Sequence, residues 1–547
     1  MPYKCALLLL LPMLLISCRQ HADKDAVKTV FRYNESAGIT SLDPAFCSNQ
    51  ANIWAVNQLF NGLVQLDDNL KVEPCIAKEW KISDDGLTYI FYLRSDVRFH
   101  DSPVFPGGKG RKVIASDFVY SFRRLADPEV ASPGAWVFSQ VKRQNGIPAF
   151  KAPDDTTFQI TLTAPFPPFA GLLSNQYCSV VAHEAISFYG TDFRRNPVGT
   201  GPFMFRMWKE GVKLVLVKNP AYFEKEGNER LPYLDAVAVT FIADKQAAFL
   251  EFVKGNLDFM SGIDAGYKDE MLTREGKLSP KYINRISLLT GPYLNTEYLG
   301  ILVDTSLPGV KNNPLKDVRI RQALSYGFDR RKMMRYLRNN IGIPGTAGMV
   351  PPGLPWFDNA AISGYDYDPE KVKQLLAEAG YPAGKGLPAI TITTNASYLD
   401  LCKYIQSQLN EAGFEIKIDV TPPGTLRDMI AQSKVNFFRG SWIADYPDPE
   451  NYLSLFLSQN FCPKGPNYTH FASREYDRLY IAAALEKNDS LRGLIYMKMD
   501  NLVMQQAPVI ILYYDQVLRF TQKDIKGLTC NPLNLLTLKK IRKKLKQ

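Results

Sequence analysis

Between Tyr367 and Val420 the sequence alternates helix and strand with a signal at nearly every boundary, and this alternation narrows the fold more than any other feature. Asp368 and Pro369 supply the cap and first residue of a helix, EKVKQLLAEAG, that carries Val372, Leu375, Leu376 and Ala379 inward and ends at Gly380. AITITT follows as a strand, then a helix with Leu401, Ile405 and Leu409 in line, a stop at Gly413, and the alternating strand FEIKIDV. Strand, helix, strand in that order favours a parallel pair, so this stretch predicts an α/β lobe.

The first half has a different grammar. A short strand from Val27 precedes a helix in ANIWAVNQLFNGL, with Ile53, Val56, Leu59 and Phe60 on one face and Asn61-Gly62 as its stop. WKISDDGLTYIFYLRSDVRF reads as a hairpin, with Asp85-Gly86 turning and Leu87, Tyr89, Phe91 and Leu93 alternating. Ser116 reads as the N-cap of a helix striped by Phe118, Phe122 and Leu125, and Asp127-Pro128 ends it. Phe158, Ile160 and Leu162 alternate in a further strand, cut by the prolines from Pro165 to Pro168. At 547 residues the chain exceeds one hydrophobic core, and roughly three or four domains are expected.

At the N-terminus, one Lys precedes an apolar run from Ala6 to Ile16, too short to span a bilayer and suited to the core of a secretion signal. It ends in Leu15-Ile16-Ser17-Cys18, which resembles the lipobox of bacterial lipoproteins. Residues 1–17 are therefore expected to be removed as a lipoprotein signal peptide, with Cys18 as the lipidation site and the mature chain held at the cell envelope. The remaining cysteines, Cys47, Cys75, Cys178, Cys402, Cys462 and Cys530, form no C-x-x-C pair; packing roles and disulfides both stay open for them.

The formal charge of +10 is scattered, apart from KKIRKKLK at Lys539 to Lys546, which reads as a solvated basic tail or as a patch touching anionic lipid. No nucleic-acid partner is expected. The four histidines, His21, His100, His183 and His470, show no metal-ligand spacing, and neither a G-x-S-x-G elbow nor a phosphate-binding loop occurs. No metal, cofactor or enzymatic activity is expected, with an exported hydrolase as the reading that catalytic turnover would reveal.

Nine stretches, in this order, resemble the large extracytoplasmic peptide-binding proteins of ABC importers, in the peptide/nickel-type solute-binding group. They are SLDP (41–44), NQLFNGLV (57–64), FVYSFRRLADPEVASP (118–133), VGTGPF (198–203), FVKGNLD (252–258), PLKDVRIRQALSYGFDR (314–330), YDPEKVKQLLAEAG (367–380), RGSWIADYPDPENYL (439–453) and YTHFASREYDRL (468–479). The Arg-x-x-Trp-x-x-Asp spacing is similar to that of the oligopeptide-binding subgroup. The resemblance implies an α/β, two-lobed, type II periplasmic-binding-protein fold with crossing hinge strands and an extra inserted domain. It divides the chain into a discontinuous first lobe (27–68, 199–294 and 511–547), an inserted domain (69–198) and a second lobe (295–510).

It also implies a ligand and a site: short peptides, or cell-wall muropeptides as the alternative, captured between the lobes and passed to a membrane permease. A peptide's termini need charge partners once water is excluded. By resemblance Asp445 takes the α-ammonium, Arg439 takes the carboxylate of a short peptide through its two-pronged fork, and Trp442 lines a side-chain pocket. Backbone pairing falls to Gly440, Ser441, Trp442 and Ile443, to Asn295 through Tyr298, and to Ser48, Asn49 and Gln50, with Ala444 beside them. Tyr513 and Tyr514 are implied to face the cleft. Taken alone, Asp445 also reads as a turn cap, Trp442 as core, Arg439 as a structural ion pair and the tyrosines as strand formers.

Four departures stand out. Asp400 and Ile430 occupy positions where some relatives place a His or Arg against the peptide C-terminus. The cystine that can join the positions of Asn295 and Ile443 cannot form, and the pocket tyrosine expected after Ser132-Pro133 is Gly134, with Trp136 close by.

Overall fold

The computed structural model describes residues 29–544 apart from 265 and 355; the secretion signal and Cys18 lie outside the described residues. Its largest element is an eleven-stranded mixed sheet running through both lobes. In spatial order, its first five strands are Phe203–Lys209, Lys213–Lys218, Ala236–Thr240, Val30–Asn34 and Phe259–Ser261. Two long strands follow, Val509–Gln522 and Ile286–Ile301, and then Phe437–Ile443, Ile390–Thr394 and Ile416–Val420, while the eleventh, Ile343–Pro344, pairs with Val509–Gln522 off this order. The two long strands pair antiparallel from Ile286↔Gln522 to Gly300↔Val509. They are the crossing strands: one end pairs with Phe259–Ser261 of the first lobe, the other with Phe437–Ile443 of the second.

The α/β reading of 367–420 is realised closely. Strands Ile390–Thr394 and Ile416–Val420 are parallel, with Ile390 opposite Ile416, and helices Pro369–Glu378 and Leu399–Glu411 cover the sheet with Val372, Leu375, Leu376, Leu401, Ile405 and Leu409. Asp368 caps the first helix by accepting from the Lys371 N–H at 3.0 Å. Gly413 supplies the stop at φ +100°. The other face of the second lobe is closed by helices Arg474–Leu485 and Asp489–Gln506, over a core that includes Leu294, Tyr452, Tyr476 and Val503.

The hairpin-rich region builds a separate four-stranded antiparallel sheet from Ala77–Ile82, Thr88–Leu93, Thr157–Thr161 and Phe150–Asp154. Helix Ala115–Leu125 lays Phe118, Phe122 and Leu125 on it, and the Phe122 ring lies 4.8 Å from that of Phe138 and 5.4 Å from that of Phe158. Ser116 is not its cap: the helix begins one residue earlier, and Asp117 closes the first turn by accepting from the Ile114 N–H at 2.9 Å. The side chain of Asp117 also pairs with Arg111, which outweighs what a serine hydroxyl offers there.

The C-terminal basic run is neither a solvated tail nor a free lipid-facing patch over its described part. Lys539 pairs with Glu224 at 2.6 Å, Lys540 with Glu226 at 3.1 Å, Arg542 with Glu229, and Lys543 with Asp258 at 2.7 Å, while Ile541 is fully buried. Four of the five described bases of the run thus find an acid of the first lobe, and Lys543 also donates to the carbonyl of Val30 in the first strand.

Burial raises the Asp258 carboxyl above its ordinary range, opposed by Lys543. Removing the partner of a buried charge costs about 3 kcal/mol or more, whereas an exposed pair contributes less than about 1 kcal/mol. Lys543→Met is therefore expected to lower unfolding stability in urea by about 3 kcal/mol, and Lys540→Met to leave it nearly unchanged. Equal effects of the two would show that the strap does not depend on its buried pair.

Candidate functional site

The stretch RGSWIADYPDPENYL occupies the inner end of strand Phe437–Ile443 and the turn after it. The strand pairs with Ile286–Ile301 along its whole length, with Asn295 opposite Ile443, Thr296 opposite Trp442 and Tyr298 opposite Gly440. On its other side it meets Ile390–Thr394 at one position only, Thr393↔Phe438. Beyond Phe438, therefore, the edge carrying Gly440, Ser441, Trp442 and Ile443 has no neighbouring strand among the described residues. Ser441 and Ile443 are exposed there. A short open edge of this kind accepts another extended chain through main-chain groups alone.

Asn451 shapes the turn beyond that edge. Its side-chain oxygen accepts from the Trp442 indole N–H at 2.9 Å and from the Asp445 N–H at 3.4 Å, fixing the tryptophan and the aspartate relative to each other. Trp442 is half-buried and packs on the second-lobe core. Ala444 is buried, and its N–H donates to the carbonyl of Leu294. From the inserted region, Asn175 donates to the Asp445 carbonyl at 3.4 Å, and the Tyr446 ring packs between Trp136 and Phe166. The Asp445 side chain is exposed on the cleft wall, yet the protein around it raises its carboxyl above the ordinary range, with Asn451 opposing. No cation pairs with it among the described residues; Glu450 and Asp500 nearby also lack one, but they are buried and hydrogen-bonded, whereas Asp445 is exposed.

Arg439 is differently placed. It is buried, joined to Glu297 in a close ion pair, and its guanidinium lies 3.2 Å from the ring centroid of Tyr398. Burial pushes its pKa down to about 10. Asn295 donates to the other Glu297 oxygen at 3.1 Å and reaches Asp515 at 3.5 Å; Asp515 in turn pairs with Arg338 at 2.8 Å. Two arginines and two acids thus neutralise one another in a chain across the crossing strands. The structural ion pair is the reading the geometry favours for Arg439.

Three further expectations are corrected. The Asn295 to Tyr298 segment does not offer a free edge: Thr296, Glu297 and Tyr298 pair with Phe437–Ile443 on one side and with Tyr514, Tyr513 and Ile511 on the other, so only the Asn295 side chain has a role left to play. Tyr514 is fully buried with its hydroxyl on the Gly348 carbonyl at 2.6 Å, so it is core; Tyr513 is equally buried, against Arg338. Ile430 lies in the second-lobe core and not in the cleft, whereas Asp400 is exposed at the start of its helix. Asn295 and Ile443 are direct register partners, the placement the resemblance implied for their positions.

On the first-lobe side, Ser48 is an exposed loop residue, Asn49 caps helix Gln50–Leu59, and Gln50 exchanges hydrogen bonds with Asn534. Gln50 and Trp54 line a cavity of about 420 Å³ that shares Ser261 to Ile263 and Asn534 with a second cavity of about 320 Å³, lined by Lys268, Arg338 and Asp515. Asn451, Asn175 and Arg338 escaped the sequence reading, as did the ion pair that the Glu297 side chain makes with Arg439. Asn451 lies inside RGSWIADYPDPENYL, six residues after Asp445, and was the one the motif could have offered.

Behind the turn, burial raises the carboxyls of Asp448 to about 6 and of Glu450 and Asp500 to about 7. Glu450 accepts from the hydroxyls of Tyr446 and Tyr480, and Asp500 accepts from the N–H of Met349 at 2.8 Å. Acids raised in the folded state hold protons that the unfolded chain releases near pH 4. Their contribution is complete below that range and is lost as pH climbs to about 7. The urea midpoint is expected to fall between pH 5 and pH 8, by an amount on the order of a few kcal/mol in stability, and Glu450→Gln should flatten the slope. A midpoint that rises over this interval would contradict the assignment.

Residues 71–461 match the model for bacterial extracellular solute-binding proteins, family 5 (middle). The chain is 26% identical over 521 residues to the glutathione-binding protein GsiB of Salmonella typhi, covering 93% of each, and 26% identical over 529 residues to that of Escherichia coli K12, covering 95% and 94%. Among solved structures it superposes on HbpA2 of Haemophilus parasuis with a TM-score of 0.81 at 23% identity, covering 94% of this chain and all of that one. The unliganded open form of the murein tripeptide binding protein MppA gives 0.78 at 24% identity, covering 95% and 98%; DppA of Helicobacter pylori, solved with the peptide STSA, gives 0.72 at 24%, covering 94% and 98%. These likenesses show the two-lobed type II fold. With the matched segment covering well over half of its length, the chain belongs to family 5 of the bacterial extracellular solute-binding proteins.

Proposed function

We propose that this protein captures short peptides in the cleft between a first lobe (27–68, 199–294 and 511–547), which carries an inserted domain (69–198), and a second lobe (295–510), and delivers them to the permease of an ABC importer. The observation that carries the reading is the pairing of an open strand edge with an uncompensated acid: among the described residues Gly440 to Ile443 have no strand partner on one side, and Asp445, two residues beyond, has no cation. A peptide added along that edge brings its α-ammonium to Asp445. Every peptide shares this main chain and this ammonium, so the arrangement recognises the class without selecting among side chains. The charge chain from Arg439 to Arg338 is already neutral, so a ligand carboxylate has to compete with Glu297 or Asp515 for an arginine. The ammonium is the stronger determinant. Cys18 serves as the lipid anchor that keeps the binding protein beside its permease, and capture and release require no chemical step.

Removing one partner of a largely desolvated charge pair costs 2–5 kcal/mol, so Asp445→Ala should weaken binding of a free tripeptide by about 100-fold in calorimetry, and N-acetylation of the peptide should weaken binding to the unaltered protein as much. Undiminished binding of the acetylated peptide would contradict the ammonium site. Native mass spectrometry of gently purified protein tests the ligand class: a ladder of peptide masses supports general capture. One mass, of glutathione or of a diaminopimelate-containing peptide, narrows it to a single ligand.

A further inference from the structure

The tyrosine missing after Ser132-Pro133 is replaced in space from elsewhere in the chain. A Cβ built on Gly134 would lie 2.3 Å from Cγ and Cδ1 of Tyr177 and 2.7 Å from its Cε1, so the Tyr177 ring rests directly on the Gly134 backbone. Gly134 has φ −89° and ψ 0°, a conformation open to any residue; the reason for glycine there is the ring alone. The floor beneath is fixed, because Ser132 donates its hydroxyl to the Ala45 carbonyl at 2.5 Å and accepts from the Gly134 N–H at 3.0 Å.

Tyr177, in the short helix Gln176–Cys178, is also tied to the turn that carries Asp445. Asn175 holds both: its side-chain oxygen accepts from the Tyr177 N–H at 3.1 Å and its amide donates to the Asp445 carbonyl. Burial raises the Tyr177 phenol to about 12. The hydroxyl has no protein partner among the described residues. Trp136, two residues after Gly134, stands exposed at 39% and faces Tyr446. Tyr177 is thus tied to Asp445 through Asn175, and Trp136 packs on Tyr446, the residue after Asp445.

We propose that Tyr177 is a specificity-determining residue for the first side chain of the bound peptide, and that Gly134 positions it by letting the ring lie back out of the cleft. This rests on the peptide reading above. Any side chain at position 134 pushes the ring forward by about the width of a methyl group, into the volume that a bulky first residue needs. A small first residue is unaffected.

The test compares Phe-Ala-Ala with Ala-Ala-Ala by calorimetry on the mature protein. Gly134→Ala should lower the affinity ratio of Phe-Ala-Ala to Ala-Ala-Ala by about 10-fold or more, the scale of one methyl group in an apolar pocket. Adding Tyr177→Ala to Gly134→Ala should bring the ratio back to within about 3-fold of the unaltered protein, a recovery that a general loss of structure cannot produce. Tyr177→Ala alone, which leaves the Gly134 backbone untouched, should change the ratio in favour of Phe-Ala-Ala, and Tyr177→Phe should leave it unchanged. An unchanged ratio in variants that still bind both peptides overturns this inference alone. Failure of the unaltered protein to bind either peptide overturns the peptide reading, and this inference with it.

Discussion

The pairing of Ile286–Ile301 with Val509–Gln522 is the constraint on which the rest of the molecule depends. Sixteen and fourteen residues long, these strands run from one lobe into the other, so both lobes are built on a single hydrogen-bonded ladder. Strands of about six residues are usual, and neither would bridge two lobes. The outer strands inherit their positions from this pair: Phe437–Ile443 is aligned by Ile286–Ile301, and its edge opens only because Ile390–Thr394 meets it at a single residue. The cleft is thus defined by where strands stop.

Electrostatics then separates structural charge from charge that awaits a partner. Arg439, Glu297, Asp515 and Arg338 compensate one another across the crossing strands, and Lys539 to Lys543 compensate acids of the first lobe. Both sets hold parts of the chain distant in sequence. Asp445 is exposed with its carboxyl raised and, among the described residues, has no cation paired with it; in the function proposed above, the ammonium of a peptide completes it.

The sequence revealed most where local signals and burial agree. Asp368-Pro369, Gly380 and Gly413 mark helix ends by backbone chemistry that tertiary context does not override, and Val372, Leu375, Leu401 and Ile405 alternate with a helical period because one face is buried. The ordered stretches that resemble a family marked Asp445 and Trp442 as candidates, and the strand implied before them is present. What stayed hidden depends on contacts remote in sequence. Nothing near Arg439 announces Glu297, 142 positions away; nothing near Gly134 announces Tyr177; and nothing near Lys543 announces Asp258. Asn295 to Tyr298 was assigned a free edge because strand pattern does not say how many neighbours a strand has.

The central claim is that a peptide adds to the open edge of Phe437–Ile443 with its ammonium on Asp445. Hydrogen–deuterium exchange of the mature protein, followed with and without a saturating tripeptide, tests it most directly. The account predicts new protection of amides in Gly440 to Asp445, with Thr296 to Tyr298 already protected in the free protein and unchanged by ligand. Protection confined to the first-lobe cavities around Gln50 and Arg338, with Gly440 to Asp445 exchanging as before, would contradict it.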